Sequence, residues 1–146
     1  MVMSLHSATW RVHVSELDDS ALIIESIKWI AGESALINIE NGKSIHGAKQ
    51  KTIIAKVESK RESCESFLRL GKAVLTEILG DDITKRIDEN KNFHIRIDVS
   101  NLVSKEININ CNKEKLVAKG IFKIECYPGD SPEGKILELI KKNIDD

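Results

Sequence analysis

The hydrophobic positions along the chain follow two periods, and the switches between them lay out the elements. Residues 93–98, Phe-His-Ile-Arg-Ile-Asp, put Phe93, Ile95 and Ile97 on one face and His94, Arg96 and Asp98 on the other. A period of two belongs to a half-buried strand, since successive side chains leave a pleated backbone on opposite sides. The same alternation runs through 8–14, where Trp10, Val12 and Val14 face inward against Arg11 and His13. It returns at 52–58, with Ile53, Ala55 and Val57 inward, and at 35–42, where Ile37 and Ile39 face the core before an Asn41-Gly42 turn signal. Residues 106–111 place Ile107, Ile109 and Cys111 on one face, and 110–115 read as a hairpin connection. The strand after it, within 117–127, alternates Gly120, Phe122, Ile124 and Cys126 against Lys119, Lys123 and Glu125.

Three stretches change to the helical period. In 16–32, Asp18 or Asp19 can cap, Ile23, Ile27, Ile30 and Ala31 form a stripe, and Gly32 suits the C-terminal end. Residues 60–79 predict one long helix. Ser59 and Glu62 form a capping box, Cys64, Phe67, Leu68, Val74, Leu75, Ile78 and Leu79 repeat at helical spacing, and Gly71 sits in the same stripe as a point of close approach. A short helix is expected within 81–90 behind Asp81 or Asp82. A final one follows Ser131-Pro132 with Ile136, Leu137, Ile140 and Ile144 as its stripe. Alternating strands are half-buried, so the expected fold class is α+β: two layers, a mainly antiparallel sheet with helices packed on one face. The 146 residues suit one domain, 1–146, with a core at about 8–128 and the C-terminal helix at about 131–145. Phe67, Leu68, Val74, Leu75, Ile95, Ile97, Phe122 and Ile124 are expected in one core.

Composition changes this picture little. A net charge of −1 identifies no partner, and three widely spaced cysteines without a CxxC read as small buried hydrophobes in a reducing compartment. The start of the chain lacks a signal-peptide pattern and no apolar run reaches membrane length, so a cytoplasmic protein is expected. No nucleotide-binding loop, nucleophile elbow or dinucleotide fingerprint occurs, and no cofactor is implied. His13, His46 and His94 lack metal-ligand spacing. His94, Arg96 and Asp98 share a face, but such triplets are more often charge pairs on an open sheet than acid–base machinery.

Charge distribution is more informative. From Lys43 to Arg61 the cations are Lys43, Lys49, Lys51, Lys56, Lys60 and Arg61 against the single acid Glu58, a local charge of +5. Such a stretch, ending at a capped helix N-terminus, suits phosphate, because ammonium groups neutralise its charge while free N–H groups donate hydrogen bonds. An ordinary solvated loop would look the same. Few aromatic residues remain for an exposed stacking platform, so RNA would be held through phosphate and 2′-OH contacts to a shape.

The order strand, helix, strand, Ile45-His46-Gly47 loop, strand, helix, the 93–100 strand and a closing hairpin resembles a family over about residues 8–128. The family is that of small archaeal RNA-binding proteins described as predicted exosome subunits, with a double-stranded-RNA-binding or ribosomal-L5-like α+β domain. Ser44-Ile45-His46-Gly47-Ala48-Lys49 stands at the family's His/Gly loop, and Ile95-Arg96-Ile97-Asp98 at its middle-strand motif. The family's Lys-Gln after that aspartate is Val99-Ser100 here, and its Asn-Pro after the loop glycine is missing. The resemblance implies a non-catalytic RNA-binding module of an RNA-processing or ribosome-related assembly. Lys43, Lys49, Lys51, Lys56 and Arg61 would hold phosphate, His46 and Gly47 would shape the loop, and Arg96 would reach a phosphate or pair with Asp98. Weak binding of structured or double-stranded RNA is expected. The alternative is a protein–protein or homodimerisation module that kept the scaffold and lost RNA binding.

Overall fold

In a computed structural model, which describes residues 4–43, 47–109 and 116–144, five antiparallel strands form one sheet. The elements in chain order are β1 (Leu5–Ser15), α1 (Ser20–Ala31), β2 (Leu36–Lys43), β3 (Lys49–Val57), α2 (Lys60–Leu68) and α3 (Lys72–Gly80). One turn of 3₁₀ helix (Ile83–Arg86) leads to β4 (Asn92–Asp98), α4 (Val99–Leu102), β5 (Val117–Ile124) and α5 (Pro132–Ile144). The strand order is β2-β3-β1-β5-β4, so the first strand is central and β2 and β4 are the edges. The inward sets of β1, β3, β4 and β5 join the helices in one hydrophobic cluster, as an α+β sandwich requires. No helix among the described residues is long and apolar enough to cross a membrane.

Trp10, at the middle of the central strand, organises that core. Its ring packs edge-on against Phe122 at 5.6 Å, and its Nε1–H donates to Ser66 Oγ at 2.8 Å. Ser66 Oγ in turn donates to the Ile30 carbonyl at 2.7 Å, joining β1, α2 and α1 through buried polar groups that are mutually satisfied. Gly120 lies opposite Trp10 on β5, and a Cβ there would stand 2.7 Å from two carbons of the indole. A ring held by both packing and a hydrogen bond has nowhere to retreat. Gly120→Ala should therefore cost about 1–3 kcal/mol, read as a lower urea midpoint with unchanged slope.

The helix starts follow their capping residues. Asp19 accepts from Leu22 N, Ser59 from Glu62 N and Ser131 from Gly134 N. Only half of the capping box at Ser59 forms, because the Glu62 carboxylate accepts from Ser34 Oγ at 2.6 Å. Several expectations are corrected. The single helix over 60–79 is two, broken where Gly71 takes φ 89° and caps α3, a conformation only glycine adopts cheaply. No side chain approaches Gly71, so the glycine is there to break the helix. The helix expected within 81–90 is one 3₁₀ turn capped by Asp82. Ile39 points to the helix side but is 43% exposed, because the edge strand runs past the helical cover. Residues 106–109 form no strand, and Cys111 with the rest of the 110–115 hairpin lies outside the described residues. Cys64 is buried and Cys126 half-buried.

Candidate nucleic-acid interface

The helices cover one face of the sheet, and the cross-strand register defines what stands on the other. Residues directly opposite in a ladder share a face. Arg11 lies opposite Ile54 on β3 and Lys119 on β5, and Lys119 lies opposite Arg96 on β4. Three cations from three adjacent strands thus stand in one row. Neighbouring strands are roughly 4.8 Å apart, so the row spans about 10 Å at the backbone. Lys56 lies opposite Thr9, one row along, and Lys123 lies opposite Ser7 and Asn92 near the other end of β5. Arg11, Lys56, Arg96, Lys119 and Lys123 are all exposed.

Among the described residues, the acids near this face are engaged or stand at its margin, and Glu125, which follows Lys123 in the same outward set, is paired with Lys60. Glu40 stands on the β2 edge, opposite Thr52. Asp98 is 1% exposed, and its Oδ1 accepts from the backbone N–H and hydroxyl of Ser100, capping α4. His94 shares a 2.7 Å hydrogen bond with Asp88, outside the strand. Asp88 also accepts from the backbone N–H groups of Asn90 and Asn92, so it ties together the turn in which Lys91 has φ 63°. His94 first, then these N–H groups, hold the Asp88 carboxyl down to about 2. A carboxyl depressed on folding stabilises the fold fully above its unfolded value near 4, and that contribution is lost as pH falls toward 2. The melting-temperature gap between wild type and Asp88→Asn should therefore close as pH falls from about 4 to 2.

The site residues inferred from the sequence divide between several places. Lys56 and Arg96 stand on the open face with two strands, β1 and β5, between theirs. Lys43, Lys49 and Lys51 belong to the opposite, helix-side set of β2 and β3, with Lys43 directly across from Lys49. With Ser15, Glu16, Asp18 and Ser20 they line a cleft of about 400 Å³ at the end of the hairpin, where Lys49 lies 3.9 Å from Glu16. Gly47 turns the chain there with φ 82°. His46 lies outside the described residues. Arg61 is on α2, paired with Glu65 at 3.3 Å, and its neighbour Lys60 is paired with Glu125. The basic stretch and Arg96 therefore do not make one continuous patch. Arg11, Lys119 and Lys123 were absent from that set although their strand alternation already faced them outward. Their alignment required the strand order.

None of the six aromatic residues occupies an outward position of a strand, and Tyr127, beyond the end of β5, is the exposed one. Trp10, Phe67, Phe93 and Phe122 are fully buried, Trp29 packs against the core from α1, and Tyr127 follows β5 with its hydroxyl donating to Glu125. Ile54 and Ile121 give the face an aliphatic floor between the cations. Among the described residues no three His, Cys, Asp or Glu side chains gather as metal ligands would.

Comparison with known proteins adds to this geometry. A protein-family model described as RNA binding matches residues 7–124. Among solved structures, a DUF54 protein from Methanothermobacter thermautotrophicus shares the fold with a TM-score of 0.71 at 19% identity, over 94% of this chain and 97% of its own. A DUF54 protein from Archaeoglobus fulgidus gives 0.72 at 20% identity, over 94% and 98%. A UPF0201 protein from Methanococcus jannaschii gives 0.63 at 12% identity, over 92% and 98%. No curated protein matches the chain.

Proposed function

This chain belongs to that RNA-binding family, and from that premise we propose that it holds structured RNA by its phosphates on the open face of the sheet. The observation that carries the reading is the Arg11–Lys119–Arg96 row, flanked by Lys56 and Lys123, on the face opposite the described helices. Guanidinium and ammonium groups at strand spacing suit a polyanion, with the two arginines able to grip phosphate oxygens in a fork. A face without aromatic rings cannot stack splayed bases, which favours an A-form duplex contacted through phosphates and 2′-hydroxyls over a single strand. Lys43, Lys49 and Lys51 would extend the basic surface around the hairpin end, with Gly47 and His46 shaping the loop between β2 and β3. Arg61 would contribute only if released from Glu65. The family is described by RNA binding and not by a reaction, and the role is that of a non-catalytic module in an RNA-processing or ribosome-related assembly.

Titration of a duplex RNA and a single strand of equal length, each at two salt concentrations, tests the reading. Micromolar duplex binding that weakens steeply with salt is expected, with the single strand weaker. Absence of duplex binding at low salt would sink it. A second reading, a protein-interaction or homodimer module, is favoured by the β2 edge, which pairs on one side only and exposes Leu36 at 59% and Ile39 at 43%. It predicts association that salt leaves unchanged or strengthens, visible by sedimentation.

A further inference from the structure

His13 stands on the open face of the central strand, two residues from Arg11, where a bound phosphate would meet it. We propose that His13 is a proton-linked phosphate contact, neutral on the free protein and protonated when an RNA backbone occupies the Arg11–Lys119 row. The inference rests on the reading of that face as the RNA site.

The surroundings of His13 account for both states. On its own strand, Arg11 precedes it and Ser15 follows it on the same face. On β3, Thr52 lies directly opposite, its hydroxyl sharing a 2.9 Å hydrogen bond with His13 Nδ1, and Glu40 of β2 lies beyond Thr52. On the other side, Lys119 of β5 stands opposite both Arg11 and Arg96 of β4, and Val117 of β5 lies opposite Asp98 of β4. Of the acids around this position, Asp18 accepts from the Ser15 hydroxyl at 3.2 Å, Glu40 lies beyond Thr52, and Asp98 is buried and engaged at the start of α4, so the charges that act on His13 are those of Lys119 and Arg11. Partial burial first, then Lys119 and Arg11, push the imidazole below its ordinary value.

A phosphodiester placed between Arg11 and Lys119 reverses that balance. It is negative at every pH of interest, and it neutralises the two cations that oppose a charge on His13. An opposite charge within about 4–6 Å raises a cation's pKa by roughly one unit or more. The proton is taken from solvent and sits on whichever ring nitrogen faces the phosphate. Affinity must then increase as pH falls, and it levels off below the free-protein pKa, where His13 is already charged.

The test is the affinity of a duplex RNA of about 16 base pairs, the span of a double-stranded-RNA module, from pH 8 to pH 5 at constant ionic strength. Wild type should tighten about tenfold across that range, the factor that one unit of pKa shift supplies. His13→Gln keeps a neutral hydrogen-bonding side chain beside Thr52 and should lose the pH slope, whatever its affinity at pH 8. His94→Gln should retain the slope. Independently, NMR titration of the wild-type imidazoles should show the His13 pKa rising when the duplex is added. A slope that survives in His13→Gln, or duplex binding with no slope and no shift in the His13 titration, overturns this inference and leaves the RNA reading standing. No duplex binding at any pH overturns both.

Discussion

Phe67→Ala should lower the free energy of unfolding by about 3–5 kcal/mol, the range for removing a fully buried phenyl ring. Phe67 is fully buried on α2 and sits between two other rings, Phe93 at 5.5 Å and Phe122 at 5.2 Å, both edge-on. Those geometries place ring edges on ring faces, which adds about 0.5–1.5 kcal/mol per pair beyond burial. Phe93 comes from edge strand β4, and Phe122 from β5 next to the central strand. The side chain therefore fastens a helix to two strands, one of which carries Arg96. Collapse of neighbours into the gap is limited, because Phe122 is also fixed edge-on against Trp10. The upper half of the range is expected for that reason. Chemical denaturation followed by tryptophan fluorescence measures it, and a loss under 1 kcal/mol would mean that the cluster is not the centre of the core.

Much of this was legible in the sequence, because it depends on period alone. The facing of Trp10, Phe93, Ile95, Ile97 and Phe122 follows from alternation, and Asp19, Ser59 and Ser131 each cap the helix they precede. The break at Gly71 was not legible, since Phe67 and Val74 keep a helical interval across it and a glycine in a stripe reads equally as a close approach. The candidate site was harder for a different reason. Density of lysines along the chain between 43 and 61 suggested nearness in space, yet a strand sends odd and even positions to opposite faces. Lys49 and Lys51 share one parity and Lys56 the other, so the stretch splits. The cations that do align, Arg11, Lys119 and Arg96, are far apart in sequence. Only the order β1-β5-β4 and its register bring them into a row. His94, Arg96 and Asp98 share a face as expected, but the carboxylate that engages His94 comes from the preceding turn, at Asp88.

Reversing charge at the centre of that row, Arg11→Glu with Lys119→Glu, should abolish measurable duplex RNA binding. Five phosphate contacts, one each for Arg11, Lys56, Arg96, Lys119 and Lys123, give a salt slope of about −4 to −5 and a loss of roughly two to three decades between 50 and 200 mM salt. Each charge-assisted contact is worth about 1.5–3 kcal/mol. Losing two removes about 3–6 kcal/mol, a hundredfold or more, before repulsion from the new carboxylates is counted. Both positions are exposed, so the variant should keep its melting temperature within a few degrees. The comparison that matters is Lys49→Glu with Lys51→Glu, which makes the same change in net charge on the opposite side of the sheet. Long-range attraction alone would penalise both pairs about equally at low salt. Direct contact on the open face predicts a loss concentrated in the Arg11/Lys119 pair, and only a several-fold effect from the hairpin pair. Equal losses would reduce the binding to long-range attraction and remove the assigned contact on the open face. A larger loss from the hairpin lysines would move it to the cleft beside Ser15 and Ser20, leaving the open face as solvated sheet.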